Sequence, residues 1–347
     1  MSKVTDQTST ESRKADHIRI NLESDVQFPR LTTGLERYRF LHEALPELSL
    51  NDIDTRTSLF GKQLGAPILI SSMTGGTEVA RSINRHLARG AQRHGIAMGL
   101  GSQRAAIEDS SLANSYCIRD VAPDILLFAN LGAVQLNSGY GLEQCRKAID
   151  MVGADALILH FNVLQEAVQH EGDVDFSGLL RRVASICSRI SVPVIAKEVG
   201  WGFSESAVRD LANAGVSAID VAGSGGTSWS EVEYHRSPTA FHARVARSFA
   251  DWGIPTADAI QYAHRAAPDL PIIASGGLRD GIDIAKSLAL GADIAGLASP
   301  FLQAASDSCQ AVDELIRELM AQLRIAMLCT ASRDIGSLKQ TDIQLIA

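Results

Sequence analysis

Short aliphatic runs alternate with longer amphipathic segments along this chain. The runs are Pro67–Ser72, Ile96–Gly101, Ile125–Asn130, Ala156–Asn162, Pro193–Lys197, Ala218–Ala222, Pro271–Ser275 and Ile294–Ala298. Each has the length of a strand buried on both faces, as in a parallel sheet covered by helices. The helix-like segments between them include Glu78–Gly95, Gly141–Gly153, Phe176–Ile190 and Ser204–Gly215. Several stop at a glycine directly before the next strand (Gly95, Gly153, Gly215, Gly291), because a helix ends readily in the left-handed conformation that glycine tolerates.

Eight such units predict an α/β fold, a closed (β/α)8 TIM barrel. A doubly wound open sheet is the competing arrangement, but eight consecutive units close more readily than they stay open. A further helix, Ala311–Ala331, is expected to cover the barrel exterior. Two segments exceed a minimal barrel: an N-terminal arm, about Lys14–Ala66, and a strand 6–7 insertion, Gly223–Leu270. Long loops on a rigid barrel usually act as lids or binding arms. The expected organisation is a disordered polar tail, residues 1–12, and a single catalytic domain, residues 13–347.

Composition narrows the function. The 347 residues are 46% hydrophobic and 21% charged, which excludes disordered and collagen-like chains. With 32 Lys+Arg against 40 Asp+Glu the net charge is −8, so neither nucleic acid nor an anionic membrane surface is an expected partner. No run of ~18 apolar residues exists to span a bilayer. Met1–Thr10 is polar and reads as neither signal peptide nor anchor. Five scattered cysteines suit a reducing cytoplasm.

Barrel sites lie at the C-terminal strand ends. In the fourth run Ile158, His160 and Asn162 share one face, and the polar pair must point to the barrel mouth because Leu157, Leu159 and Phe161 pack under helices. Ser72, Ser102, Asn130 and Lys197 end the first, second, third and fifth units. Singly each is a helix cap; jointly they indicate a polar site. Three glycine-rich turns follow strands: Met73-Thr74-Gly75-Gly76, Gly223-Ser224-Gly225-Gly226-Thr227 and Gly276-Gly277-Leu278-Arg279. The last, with Ala298-Ser299, sits where barrels commonly bind phosphate, and Arg279 adds a charge.

Lys197 has three readings: a Schiff-base amine, a cation facing an anionic ring such as a reduced flavin, or a structural ion pair with Glu198 or Asp220. After the fourth strand Gln165-Glu166 offers one carboxylate for Mg2+, which takes its other ligands from water and phosphate. Glu171, Asp173 and Asp175 read as a solvated acidic loop. Arg13, Lys14, His17, Arg19 and the Ser102-Gln103-Arg104 stretch are local cations and polar groups suited to a small anionic substrate.

The segments Arg13–Ile18, Ser72–Gly76, Gly101–Arg104, His160–Glu166, Lys197–Gly200 and Gly223–Trp229 together resemble the type 2 isopentenyl-diphosphate isomerases, in order from about Arg13 to Phe301. Ala298-Ser299 departs from the Gly-Arg found in many flavin barrels. The resemblance implies an FMN-dependent barrel that interconverts isopentenyl and dimethylallyl diphosphate, a cytoplasmic homo-oligomer (tetramer or octamer) that uses Mg2+ and keeps its flavin reduced with NADPH or another donor. It implies FMN contacts from Met73, Thr74, Gly75, Ser102, Asn130, Lys197, Ser224, Thr227, Gly276, Gly277, Ala298 and Ser299, to which Ser72 and Arg279 are added by position. Substrate contacts fall to Arg13, Lys14, Ser102, Gln103, Arg104, His160 and Gln165, with Asn162 beside them. Glu166 becomes the metal ligand, and Gln165, His160 and Lys197 the catalytic group.

Three rival readings fit less well. A 2-hydroxy-acid oxidase wants a histidine base at a flavin-side strand end, and Ala222–Thr227 has none. An inosine-monophosphate-dehydrogenase-like enzyme needs a cysteine after strand 6, absent from Gly223–Pro255. A non-catalytic flavin- or phosphate-binding regulator would leave His160, Asn162 and Gln165 without a purpose.

Overall fold

The computed structural model describes residues 14–346. Eight parallel strands close a barrel: β1 (Ile68–Ile70), β2 (Ala97–Gly99), β3 (Leu127–Gly132), β4 (Ala156–Phe161), β5 (Val194–Glu198), β6 (Ala218–Asp220), β7 (Ile272–Ser275) and β8 (Ile294–Leu297). Ala295 of β8 pairs with Ile68 of β1 to complete the ring. Outward residues such as Leu157 and Leu159 join the large core shared with the surrounding helices.

The inward residues form two layers. Leu69, Ala97, Phe128, Ile158, Ile195, Ala218, Ile273 and Ile294 make one apolar plug. The hairpin Thr57–Leu59/Lys62–Leu64 closes the plug from below through Leu59 and Leu64. Two residues further along each strand stand Ser71, Gly99, Asn130, His160, Lys197, Asp220, Ser275 and Gly296. Strand periodicity puts them on the same inward face, so a wholly polar or glycine layer lies directly above a wholly apolar one.

The covering helices begin and end where their sequence says they should. In α1 (Glu78–His94) the Thr77 side chain accepts from Ala80 N, and Gly95 ends the helix at φ 63°. Ser204 caps α2 (Glu205–Asn213) in the same way. The strand 6–7 insertion is not the long loop expected from sequence. It holds α3 (Trp229–Arg236), α4 (Ala240–Arg247) and α5 (Thr256–Ala266), the last being the crossover helix. Four consecutive residues of α3, Ser230–Glu233, are buried, so this helix has no single apolar face for a periodicity argument to find.

The arm and the insertion are joined. The arm opens with a helix, residues 14–23, followed by an extended stretch in which Gln27 bridges Thr227 antiparallel. Phe28 N donates to Gly226 O at 3.1 Å and Ser228 N to Val26 O at 2.7 Å. Ile20, Val26 and Val232 form a separate apolar cluster with Trp229 packed on it. Three backbone layers stack here. A Cβ on Gly225 (φ 120°) would lie 2.1 Å from Thr33 N, and one on Gly277 (φ 77°) would lie 2.6 Å from the Gly225 carbonyl carbon.

Gly225→Ala is therefore expected to lift the arm, weakening its docking by about 1–3 kcal/mol. Limited proteolysis should cut residues 14–33 faster while the barrel stays protected; an unchanged cleavage rate would mean that this contact does not hold the arm.

Candidate functional site

A cavity of about 650 Å³ opens at the C-terminal end of the barrel, with the polar layer as its floor and the arm helix along its rim. On β4, His160 Nδ1 donates to Asn130 Oδ1 at 2.8 Å. Burial, and next the charge on Lys197, push the His160 pKa from 6.5 down to about 4, so the imidazole is neutral near pH 7. Lys197 Nζ lies 3.0 Å from Asp220 Oδ2 and donates to Ser275 Oγ at 3.3 Å. Ser275 in turn donates to Asp220 Oδ1 at 2.5 Å. The ion-pair reading of Lys197 is thus met by Asp220, while the ammonium still reaches the cavity wall.

Glu198 is not that partner. Its Oε2 accepts the backbone N–H groups of Val199, Gly200, Trp201 and Gly202 at 2.6–3.2 Å, shaping the turn after β5. Burial outweighs these donors and pushes its pKa up to about 7.

One wall is made of backbone. Gly226, Thr227, Gly276 and Gly277 line the cavity beside Ala298 and Ser299. Ser299 begins α6 (Ser299–Asp307), whose N-terminus has no side-chain cap, so its N–H groups and dipole suit an anion. Arg279 lies at the same wall, its Nη2 donating to Gln27 Oε1 at 3.3 Å. Met73, Thr74 and Gly75 complete this side, with Ser71 and Ser72 beneath. The buried hydroxyls of Ser71 and Ser72 have no hydrogen-bond partner among the described residues. Orphaned hydroxyls, a glycine cradle and an uncapped helix end together fit a ligand with polar ring edges and a phosphate.

The opposite wall is a chain of side chains. Asn162 Nδ2 donates to Glu166 Oε1 at 2.8 Å, and Glu166 Oε2 accepts from Asp173 N at 2.8 Å. Gln165 Nε2 reaches Glu233 Oε1 at 3.4 Å. Glu233 also meets His17 Nε2 at 3.2 Å and Arg236 Nη1 at 2.6 Å. Burial pushes the Glu233 carboxyl up, but His17, Arg236 and Gln165 outweigh it and hold it below the usual range. Lys14 Nζ donates to Ser102 O at 3.0 Å and contacts Tyr116 Oη. Arg104 pairs with Glu108 and with Asp173, each at 2.9 Å. No cluster of three or more His, Cys, Asp or Glu among the described residues forms a metal cage. A metal here would rest on Glu166 and on the substrate.

Three expectations need correction and one falls outside the description. Gln103 does not line the cavity: its side chain is fully buried, donating to Ala148 O at 2.8 Å and accepting from Asn130 N at 3.0 Å. It ties the loop after β2 to β3 instead of facing substrate. Ser224 is buried too, with its hydroxyl on Gly200 O and its N–H on Ile254 O, so neither faces the cavity. Arg19 points away, paired with Asp16 and Glu23. Arg13 lies outside the described residues. The sequence reading missed Ser71, Ser275, Tyr116 and Glu233, and took Asp220 only as one of two partners for Lys197. The first two were detectable by extending the inward alternation of β4 to β1 and β7; Tyr116 and Glu233 had no such signal.

Fold and site define a (β/α)8 barrel whose polar mouth fits a phosphate-bearing ring cofactor. The profile of the FMN-dependent dehydrogenase family matches residues 7–115 and 146–345. An isopentenyl-diphosphate delta-isomerase of Nostoc sp. strain PCC 7120 is 56% identical over 97% of this chain and 96% of its own length. One of Stutzerimonas stutzeri is 51% identical over 95% of both chains. Among solved structures, a mandelate oxidase mutant with the C4a-OH-FMN adduct superimposes with TM-score 0.68 at 17% identity, covering 98% of this chain and 100% of that one. At that identity the likeness shows the fold alone. The chain belongs to the isopentenyl-diphosphate delta-isomerases, within the FMN-dependent dehydrogenase family.

Two measurements check the floor. Lys197→Ala leaves Asp220 as an uncompensated buried charge, so denaturant unfolding of the FMN-free protein should show a loss of about 3–5 kcal/mol; a loss below ~1 kcal/mol would mean the pair is not formed. His160 binds a proton more weakly folded (about 4) than unfolded (6.5), so its contribution is present above pH 6.5 and lost as the pH falls toward 4. In His160→Gln the stability–pH slope across that window should flatten, and an unaltered slope would show the imidazole to be solvated.

Proposed function

We propose that this protein interconverts isopentenyl diphosphate and dimethylallyl diphosphate by a 1,3-allylic proton shift, using reduced FMN and Mg2+, in isoprenoid biosynthesis. The observation that carries the reading is near full-length identity of 56% to an enzyme of that name. In support, most of the residues that resemblance singles out line one cavity, Gln103 and Ser224 excepted among the described residues. NADPH is the reductant in this reading, and the working form is a cytoplasmic homo-oligomer, tetramer or octamer. None of the described helices is long and apolar enough to cross a membrane.

The residues present fit the cofactor. Ser72, Met73, Thr74, Gly75, Ser102, Asn130 and Lys197 would border the flavin ring, and Thr227, Gly276, Gly277, Arg279, Ala298 and Ser299 its phosphate. When reduced, FMN supplies an electron-rich face beside the allylic carbons, where positive charge develops as the double bond moves. Lys14 and Arg104, with Arg13, would bind the diphosphate, and Glu166 would hold Mg2+ against it, each remaining site going to water or phosphate oxygen. His160, kept neutral, adds a hydrogen-bonding group without a competing positive charge. Gln165 presents its amide on the same wall, its Nε2 on Glu233 Oε1 at 3.4 Å. Asn162 Nδ2 stands between Gln165 Oε1 (3.4 Å) and Glu166 Oε1 (2.8 Å), and the moving proton would be carried by the flavin or by Gln165 relaying to Glu166.

Incubation with isopentenyl diphosphate, Mg2+, FMN and a reductant should yield dimethylallyl diphosphate; equal turnover with and without reduced flavin would contradict the reading. Glu166→Gln should raise the Mg2+ concentration needed for half-maximal rate by roughly tenfold, the scale of losing one good charged contact. An unchanged metal titration would remove Glu166 as the ligand.

A further inference from the structure

Three charged or titratable side chains stand side by side in the polar layer, His160, Lys197 and Asp220, on consecutive strands. His160 and Lys197 line the cavity. Asp220 does not; it is fully buried, with one oxygen on the Lys197 ammonium and the other accepting from Ser275. As a fold element this is a poor choice, because well-packed apolar residues usually stabilise as well as a buried ion pair. Its consequence is electrical. A solitary buried ammonium either loses its proton or waits for an anion. Here a carboxylate stands behind the lysine, and the pull of the ammonium on an anion in the cavity is partly offset by a negative charge 3.0 Å away.

We infer that Asp220 is a positioning residue that sets the effective charge Lys197 presents to the flavin ring, with Ser275 fixing the direction of the pair. This rests on FMN occupying the cavity. Reduction adds negative charge to the ring, so Lys197 favours the reduced cofactor and Asp220 limits how strongly. The two groups together fix the ratio of affinities for reduced and oxidised FMN.

Asp220→Asn keeps the shape and the acceptor for Ser275 while removing the charge. Anaerobic titration of the purified protein with oxidised and with reduced FMN gives both dissociation constants. The preference for reduced FMN should rise about tenfold, which for a two-electron couple is an upward shift of about 30 mV. An unchanged or lowered preference would overturn the inference. If Asp220→Asn does not fold, the neutral double variant Lys197→Met/Asp220→Asn carries the test: its preference should fall below that of the unsubstituted protein, and a value at or above it would overturn the inference. A change in thermal stability alone would follow from any structural role and is not the readout. Failure of the unsubstituted protein to bind FMN would remove the cofactor and this inference together. Bound FMN with an unmoved ratio would overturn the role of Asp220 and leave the isomerase reading standing.

Discussion

Closing eight parallel strands leaves no aqueous interior, and the chemistry of this protein is set by where that dry zone stops. Every inward residue of the lower layer is apolar, from Leu69 on β1 to Ile294 on β8. Two residues on, each is polar or a glycine. A polar group on the boundary can reach the cavity from a rigid strand, but it has lost bulk water and must find partners inside the ring. The pairs observed answer that demand: Asn130 with His160, and Lys197 with Asp220 and Ser275. The Ser71 hydroxyl has no hydrogen-bond partner among the described residues and faces the cavity, as a binding group should.

Much of this was legible in the sequence because it depends on local periodicity. The eight aliphatic runs contain nearly the whole of the eight strands, and the inward direction of His160 follows from alternation alone. The observed strands are mostly shorter than the runs; the first ends at Ile70, although Ser71 N still donates to Leu297 O at 2.9 Å. What could not be read depends on contacts between distant segments. Gln103 sits between two residues that face the cavity, Ser102 and Arg104, yet turns inward to bind Ala148 and Asn130. Ser224 lies inside a glycine turn whose neighbours face the ligand, and its own hydroxyl is spent on Gly200. Adjacency in sequence carries no information about which way a loop residue turns.

The surplus length shows the same limit. Its position after β6 marked the insertion as belonging to the mouth, but not its form, and a place before β1 did not say that the arm returns there. The insertion is helical and its first helix is buried on several sides, so it carries no stripe. The reason is the arm: Ile20 and Val26 cover Val232, and His17 stacks edge-on to Trp229 with ring centroids 5.1 Å apart. Neither segment has enough apolar surface to be stable alone. Together they build a wall that puts Lys14 and His17 on the cavity, with Glu233 behind His17 at 3.2 Å.

The stack of Thr33, Gly225 and Gly277 also bears on how the chain is made. The arm leaves the ribosome before its docking partners, which lie 216 residues later for His17 and 221 later for Arg30. At synthesis rates of roughly 5–20 residues per second, it waits on the order of 10–45 s for a surface to bind. Through that interval Ile20 and Val26 have no cover. The arm's side of the mouth is thus translated early and assembled late, and until the insertion is made its apolar residues are open to a chaperone.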